Sequence, residues 1–462
     1  MSLDLAALIA ERRPEARQLF DRHLNSQLLR VLRTIGFDVA YVRGEGPYLF
    51  DADGARYLDL LSGFGVFAVG RGHPTVIGAL KQVLDAGLPG LVQLDVSLLA
   101  GLLAERLARQ VPWLEKAFFC NSGAEAVEAA IKFSRAATGR ARIVHCEHAF
   151  HGLTYGALSL CGDQQFRDRF EPFIEPCATV PFNDLEALER ALASREVAAF
   201  VVEPIQGKGV NVAADGYLQD AAALCRRHGT LFVADEIQCG LGRTGRFLAC
   251  EHWRVEPDLV LLAKALSGGF VPVGAVLMRR WVFDRVFDRM DRAFVHGSTF
   301  SKCDLAMAAG LATLQVIEEE RLIERAAGQG ERLMTELGAR LRAHQGLKEV
   351  RGRGLMIGLE LGPPAGLRLK SAHALMEQAS PGLFCQLLLI QLLKRHRVLA
   401  QVAGHGMPVI KLLPALLIDD RDRAWIVDAF EDVLRNSGSL GGILETARTL
   451  AGHAIRARAG AA

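Results

Sequence analysis

Short apolar runs alternate with helical repeats through the middle of this 462-residue chain. Between about residues 90 and 335, each apolar run is typical of a buried strand, and helical spacing at 124–137 and 216–228 separates some of these runs. Strands that alternate with helices predict a doubly wound, largely parallel sheet that binds ligands at the carboxyl ends of its strands. The predicted strands are 117–120, 142–145, 198–203, 230–236, 259–263 and 272–278.

The pattern differs on either side of this region. An Asp-Gly turn at Asp53 and Gly54 separates two short apolar runs, which predicts a β-hairpin after two N-terminal helical patterns. Toward the C-terminus, helices combine with a predicted strand pair at 348–361 and a strand at 409–412. We expect a helical segment and hairpin at 1–89 that contribute to a small domain, a large domain at 90–335, the rest of the small α+β domain at 336–435, and a tail at 436–462.

Composition and charge argue against several kinds of protein. The net charge of +2 gives no electrostatic signal for binding nucleic acid. The nine cysteines form no CxxC pair, which is typical of reduced thiols in the cytoplasm. The longest apolar stretch, 383–393, is too short to span a bilayer, so we expect a buried helix there in a soluble, cytoplasmic protein. An apolar stripe at 443–455 in the tail is expected to pack on the protein itself, with peripheral membrane contact as the less favoured alternative.

Two polar residues end neighbouring apolar runs. Asp235 closes one run and Lys264 closes the next. A buried carboxylate needs a cationic partner, and an amine in apolar surroundings is a better nucleophile than a solvated one. Pyridoxal phosphate (PLP) meets both needs, because it forms a Schiff base with a lysine while its protonated pyridine nitrogen pairs with an acid. A solvated lysine at a strand end is the alternative, and the two residues together favour the cofactor site.

The segment Asn121-Ser122-Gly123-Ala124-Glu125 follows a predicted strand and opens a helix. Ser122 and Glu125 match the capping box, so the start of the helix is well specified. Such an N-terminus offers free N–H groups and the positive end of the helix dipole, which suit a phosphate. An ordinary helix cap is the alternative interpretation of this motif alone.

The glycines at 240, 242 and 245 match the pattern GxGxxG, so a dinucleotide-dependent oxidoreductase is a second functional class to weigh. Four residues separate the predicted strand from the first glycine, and the chain after Gly245 has little helical character. A Rossmann site needs the glycines almost directly after a strand and at the start of a helix. The spacing therefore disfavours this class.

The chain carries eight motifs in this order: Tyr57-Leu58-Asp59, Gly72-His73-Pro74, Asn121-Ser122-Gly123-Ala124-Glu125-Ala126, Phe150-His151-Gly152, Glu203-Pro204-Ile205-Gln206-Gly207, Asp235-Glu236-Ile237-Gln238, Lys264 and Gly297-Ser298-Thr299-Phe300. Together they resemble the class III (ornithine/4-aminobutyrate type) aminotransferases of PLP fold type I. The resemblance covers residues 40–435 and implies a large doubly wound, mostly parallel sheet domain with a smaller α+β domain. It also implies PLP as cofactor and transfer of an amino group between an amine or amino acid and an aldehyde or keto acid. The alternatives are an aminomutase, racemase or decarboxylase on the same fold, and a non-catalytic relative.

The resemblance implies a role for each matching residue. Lys264 would bond to PLP and then move the substrate proton, and Asp235 would hold the pyridine nitrogen. Thr299 would reach the phosphate of the neighbouring subunit, which implies a homodimer with shared sites. The remaining cofactor contacts would come from the backbone of Ser122, Gly123 and Ala124 at the phosphate, from Phe150 on the ring face with His151 beside it, from Glu203 close by, and from Gln238 at the ring hydroxyl.

Two lysines depart from the family pattern. Lys208 stands where many members have a glutamate, and Lys411 stands where many have an arginine that clamps a substrate carboxylate. A lysine is a point charge and lacks the bidentate fork of arginine, so we expect a substrate other than the usual glutamate and 2-oxoglutarate. With the segment 401–405, the two lysines resemble a branch that acts on large or lipid-linked amines and aldehydes, of which the hopanoid aminotransferase aminobacteriohopanetriol synthase is an example.

Overall fold

A computed structural model describes residues 3–344, 346–363, 367–379 and 381–437 of the chain. Its α-helical segments are Leu5–Arg12, Ala16–His23, Ser26–Thr34, Ser62–Gly65, Pro74–Asp85, Leu98–Gln110, Gly123–Thr138, Tyr155–Ser159, Gln164–Arg167, Leu185–Leu192, Tyr217–His228, Arg280–Val286, Asp304–Glu319, Leu322–Leu341, Leu367–Ala379, Leu383–His396 and Asp420–Ser437. Short 3-10 helices occur at Arg13–Glu15, Ala249–Trp253, Lys264–Ser267 and Met290–Arg292.

A seven-stranded sheet forms the centre of the larger part of the molecule. Its order is Lys116–Cys120, Gly274–Met278, Leu259–Leu262, Leu231–Asp235, Val197–Val202, Arg142–Cys146 and Cys177–Val180. Only the strand Gly274–Met278 runs against the others, and it pairs antiparallel with both of its neighbours. The predicted mostly parallel α/β sheet is therefore confirmed. The edge strand Cys177–Val180 was not predicted.

Helices cover both faces of this sheet, which explains why its strands are apolar throughout. Phe200 and Phe232 belong to one buried core together with the helix Tyr217–His228. Val201 and Val233, their neighbours along the same strands, belong to a second core with the helix Gly123–Thr138. Because side chains alternate across a strand, a sheet covered on both faces needs apolar residues at every position.

Two smaller sheets contain the rest of the described strands. The predicted hairpin forms around the Asp-Gly turn, and the parallel strand Val398–Leu399 joins it, so residues distant in sequence complete one sheet. The first sheet is Tyr41–Glu45, Tyr48–Asp51, Arg56–Asp59 and Val398–Leu399. The second is the antiparallel Leu347–Arg353, Met356–Leu361, Val409–Leu412 and Gln401–Val402.

The predicted buried helix at 383–393 is confirmed within Leu383–His396, whose apolar side chains are buried. Among the described residues, no helix has the length and apolar character needed to cross a membrane. The predicted tail lies outside the described residues after Ser437, and so does its apolar stripe.

Candidate active site

A cavity of about 1030 Å³ opens where the parallel strands of the large sheet end. Asp235 is the last residue of its strand, and Lys264 follows the end of the neighbouring strand, as predicted. The carboxyl edge of an open α/β sheet is the usual place for a ligand site. Eleven of the twelve residues predicted for the site line this cavity, namely Ser122, Gly123, Ala124, Phe150, His151, Glu203, Lys208, Asp235, Gln238, Lys264 and Lys411.

Lys264 presents a free amine to this cavity. Its φ of +44° lies in the left-handed region, which costs a residue with a side chain about 1–3 kcal/mol and is found mainly at functional sites. Burial lowers the pKa of Lys264, and the nearby carboxylates of Asp235 and Glu203 oppose that shift. Within the described part of the chain, charges near the amine shift its pKa and no hydrogen bond to Lys264 contributes. An amine that loses its proton more readily and has no partner is suited to nucleophilic attack on a carbonyl.

Asp235 is buried and held by two hydrogen bonds. Its Oδ2 atom lies 2.7 Å from Nδ1 of His151, and its Oδ1 atom accepts from the backbone N–H of Ile237 at 3.0 Å. Burial works against a charged His151, yet the hydrogen bond and charge of Asp235 raise the pKa of this histidine overall. Among the described residues, the buried Nε2 atom of His151 has no partner. The pair fixes the orientation of a carboxylate that faces the cavity.

The helix Gly123–Thr138 points its N-terminus at the same cavity. Ser122 Oγ accepts from the backbone N–H of Glu125 at 3.1 Å, as the capping-box prediction requires. The return bond differs, because Glu125 accepts from the N–H of Asn121 and not from that of Ser122. The N–H groups of Gly123 and Ala124 belong to the first turn and have no acceptor within the helix. They are available for a phosphate.

Gly123 lies close to Ile237, just after the strand that ends at Asp235. A Cβ atom on Gly123 would lie 2.9 Å from Cδ1 and 3.0 Å from Cγ2 of Ile237. The first turn of the helix therefore packs directly on Ile237, two residues after Asp235. The free N–H groups of this turn and the carboxylate of Asp235 line the same cavity, which fits the two ends of PLP.

Glu203 connects two loops of the cavity wall. Its Oε1 atom accepts from the N–H of Gly207 at 2.8 Å, and its Oε2 atom accepts from the N–H of Phe150 at 3.0 Å. Burial raises the pKa of Glu203, with the charge of His151 opposing the shift. Gln238 donates to the backbone oxygen of Phe64 at 3.0 Å, so its side-chain amide is anchored on a third loop.

The two unusual lysines are buried in the wall of the cavity. Lys208 forms an ion pair with Asp163, and its Nζ atom lies 4.1 Å from the ring centre of Phe166. Lys411 donates to the backbone oxygen of Gly207 at 2.6 Å and to Oε1 of Gln238 at 3.2 Å. Burial, assisted by the charge of Lys264, lowers the pKa of Lys411 to about 7.

The glycine-rich segment 240–245 does not form a dinucleotide site. It consists of turns, and the next regular element is the 3-10 helix Ala249–Trp253. Arg243 is fully buried and donates to the backbone oxygens of Leu355 and Pro414. A Cβ atom on Gly242 would lie 3.2 Å from both Ile323 and Leu416. These glycines allow close packing, and the GxGxxG alternative is wrong.

Comparison with known proteins settles the family. The sequence model of the family described as Aminotransferase class-III matches residues 33–434. The chain belongs to the class III aminotransferases. It is therefore a PLP-dependent enzyme that acts on amines and on aldehydes or keto acids.

Three proteins illustrate the relationship. Aminotransferase PigE of Serratia sp. is 34% identical over 92% of this chain, although the match spans only 54% of the length of PigE. The acetylornithine aminotransferase of Methanopyrus kandleri is 41% identical over 75% of this chain and 86% of its own length. The crystal structure of the ornithine aminotransferase of Toxoplasma gondii has a TM-score of 0.77 and 31% identity, covering 86% of this chain and 90% of that one.

A fourth relative was solved with PLP bound. This amine transaminase, from an uncultivated Pseudomonas species, has a TM-score of 0.76 and 27% identity, covering 86% of this chain and 95% of its own. Both structural matches agree with fold type I, which confirms the fold class predicted from the sequence.

One predicted residue of this aminotransferase lies away from the cavity. Thr299 is exposed, and its backbone oxygen accepts from the side chain of Gln93 at 3.3 Å. The sequence prediction places it at the phosphate of a neighbouring subunit, and its position outside the cavity of its own chain is compatible with that role.

Sequence reasoning also missed residues that shape the site. Asp163 pairs with Lys208, and Phe166 packs edge-on against Phe150 with ring centres 5.5 Å apart. Asp163 is the N-cap of the short helix Gln164–Arg167, and that cap was the only local signal for it. Nothing in the local sequence indicates a partner 45 residues away.

Proposed function

We propose that this class III aminotransferase transfers an amino group between a primary amine and an aldehyde or ketone that carries a large apolar part, of the lipid-linked or hopanoid type. The size and lining of the cavity carry the proposal. The volume of about 1030 Å³, which has to hold both PLP and the substrate, is at the upper end of the roughly 300–1,000 Å³ usual for small-molecule sites. Much of the wall is apolar, with Phe64, Val66, Leu153, Phe166, Phe270, Val271, Val402 and Ala403.

The charges of the wall support a substrate without a carboxylate beside the reacting carbon. Among the described residues that line the cavity, none is an arginine. Lys208 is already paired with Asp163, and Lys411 already donates to two protein oxygens. A carboxylate would have to compete with these partners. We infer that Lys208 and Lys411 contact the substrate beside an apolar channel and do not clamp an acid.

The other residues of the site would hold PLP and move a proton. Bound PLP supplies an electron sink that makes a proton on the substrate's amine-bearing carbon acidic. Lys264 is the proposed covalent anchor and the base that takes this proton, which its lowered pKa favours. Asp235, oriented by His151, would pair with the pyridine nitrogen, and the first turn after Ser122 would bind the phosphate. Phe150, Glu203 and Gln238 would complete the cofactor pocket.

We also propose that the enzyme is a homodimer. Apolar side chains are unusually exposed along one stretch, where Leu94 and Val96 are 91% and 90% accessible. Met290 and Phe294, which precede Thr299, are 95% and 80% accessible. Gln93 donates to the backbone oxygen of Thr299, so the two segments come close to each other there. Exposed apolar surface of this kind is typical of a protein interface. A second copy on this face would bring Thr299 near the partner's cavity. The nine cysteines are free thiols, so we place the dimer in the reducing cytoplasm.

The visible absorbance of the PLP-loaded enzyme tests the substrate class. We would add hexylamine, dodecylamine, glutamate or ornithine to the wild type and to Lys264→Ala. The proposal predicts that the long alkyl amines bleach the wild type, that an aldehyde acceptor restores its absorbance, and that Lys264→Ala does neither. Bleaching by glutamate or ornithine alone would refute the apolar substrate class while leaving the family assignment intact.

A further inference from the structure

We propose that Asp163 is a specificity-determining residue that masks the charge of Lys208 and so excludes substrates with a carboxylate. This inference rests on the proposed function, because it explains how a cavity with three lysines accepts an uncharged substrate. Lys208, Lys264 and Lys411 all line the cavity. Without compensation, such a wall would attract anions.

The pair formed by Lys208 and Asp163 is shielded from solvent. Their side chains are only 8% and 20% accessible, and Lys208 lies over the aromatic rings of Phe166 at 4.1 Å and Phe150 at 5.8 Å. An ion pair in such surroundings is screened much less than one at the surface. Asp163 therefore neutralises the charge that Lys208 would otherwise present to a ligand.

Asp163 is held ionised and in place from several directions. Burial works against its charge, but the hydrogen bonds from Lys208 and from the N–H of Gln165 lower the pKa of this carboxyl overall. The bond from Gln165, at 3.0 Å, fixes Asp163 as a helix cap. His405, which also lines the cavity, makes a smaller electrostatic contribution that lowers the pKa of Asp163 in the same direction. The carboxylate thus occupies the position at which a substrate acid would contact Lys208.

Removing the charge of Asp163 leaves Lys208 buried without a counter-ion, which is costly for any buried charge. A carboxylate on the substrate can then supply the missing partner. Asn is the matched replacement, because it caps helices as well as Asp and retains an oxygen for Gln165. Asp163→Asn should therefore fold, and Asp163→Ser provides a second uncharged cap.

The test compares two acceptors that differ only at the far end, hexanal and 6-oxohexanoate. Each enzyme is first loaded with pyridoxamine phosphate, so that no donor is needed, and the return of visible absorbance gives a second-order rate constant for each acceptor. Asp163→Asn should raise the ratio for 6-oxohexanoate over hexanal by roughly tenfold, as expected for one charge-assisted hydrogen bond. Binding of hexanoate, followed by calorimetry, should tighten by a similar factor.

Two controls distinguish a masked charge from a general disturbance. Asp168→Asn removes an exposed carboxylate just after the same short helix and should leave the ratio unchanged. Adding Lys208→Met to Asp163→Asn should abolish the gain, because no cation remains to bind the acid. An unchanged ratio and unchanged hexanoate affinity in Asp163→Asn and Asp163→Ser would overturn the inference alone. A wild type that already prefers 6-oxohexanoate to hexanal would instead overturn the proposed substrate class.

Discussion

Lys411 should make the stability of this aminotransferase depend on pH in a defined window. The side chain is buried on the strand Val409–Leu412, and its pKa is lowered from 10.5 to about 7, mainly by burial. Below pH 7 the folded and unfolded chains both hold the proton, so the folded state bears the full cost of a buried ammonium. Above pH 10.5 neither holds it and the cost disappears. The difference between the two pKa values corresponds to about 5 kcal/mol.

Replacing Lys411 by Met removes the titrating group and keeps much of its volume. The lost hydrogen bonds to Gly207 and Gln238 add an offset that does not vary with pH. The free energy of unfolding of the wild type, minus that of Lys411→Met, should therefore rise by about 1.4 kcal/mol per pH unit from pH 7 to about 10. Urea titrations of the cofactor-free proteins at pH 6 to 10 measure this difference. A flat difference would show that Lys411 keeps an ordinary pKa and would refute the reasoning.

Close contacts and exposed surface lead to three further predictions. Gly123→Ala should weaken PLP binding by roughly tenfold, because its Cβ atom would meet the side chain of Ile237 and shift the first turn of the helix. Cofactor titration of the apoenzyme measures this. Gly330→Ala should destabilise the protein by more than about 2 kcal/mol, because its Cβ atom would lie 1.9 Å from a backbone oxygen. In the same helix, a Cβ atom at Gly328 would meet nothing within 4 Å, so Gly328→Ala should stabilise the protein by about 0.5–1 kcal/mol. Urea titration compares the two variants. Leu94→Asp should shift the protein toward monomer in sedimentation analysis, and an unchanged oligomeric state would exclude Leu94 from the interface.

The central sheet and its chemistry could be predicted from sequence because each signal is local. Strands buried on both faces are continuous apolar runs, and the strand that ends at Asp235 shows this in five consecutive buried residues. Since carboxyl ends of parallel strands meet at one edge, the positions of Asp235 and Lys264 at the ends of their apolar runs were enough to predict that they lie close together. The edge strand Cys177–Val180 escaped because only one of its four residues is buried, so it lacks the apolar run that marked the others.

The parts of the site that the sequence could not predict depend on the local path of the backbone, on contacts between distant segments, or on a second copy of the chain. The side chain of Glu125 accepts from the N–H of Asn121 and not from that of Ser122. The local path of the backbone decides between these two donors, and the sequence spacing alone does not. The pairing of Lys208 with Asp163 depends on how two segments 45 residues apart come together. The predicted role of Thr299 depends on a second copy of the chain, so contacts within one chain do not test it.

The lysines of the cavity show why a substitution at a family position must be weighed with its surroundings. A lysine in place of a glutamate at position 208 makes the wall more positive by two charges. A lysine in place of an arginine at position 411 leaves the charge of the wall unchanged. In the structure, Asp163 cancels the charge at Lys208, and burial makes the amine of Lys411 easy to deprotonate near neutral pH. Lys264 lies near two acids, Asp235 and Glu203. Each amine thus has its own means of losing or balancing its charge. This supports the proposed uncharged substrate and agrees with the sequence-based expectation of a substrate other than glutamate and 2-oxoglutarate.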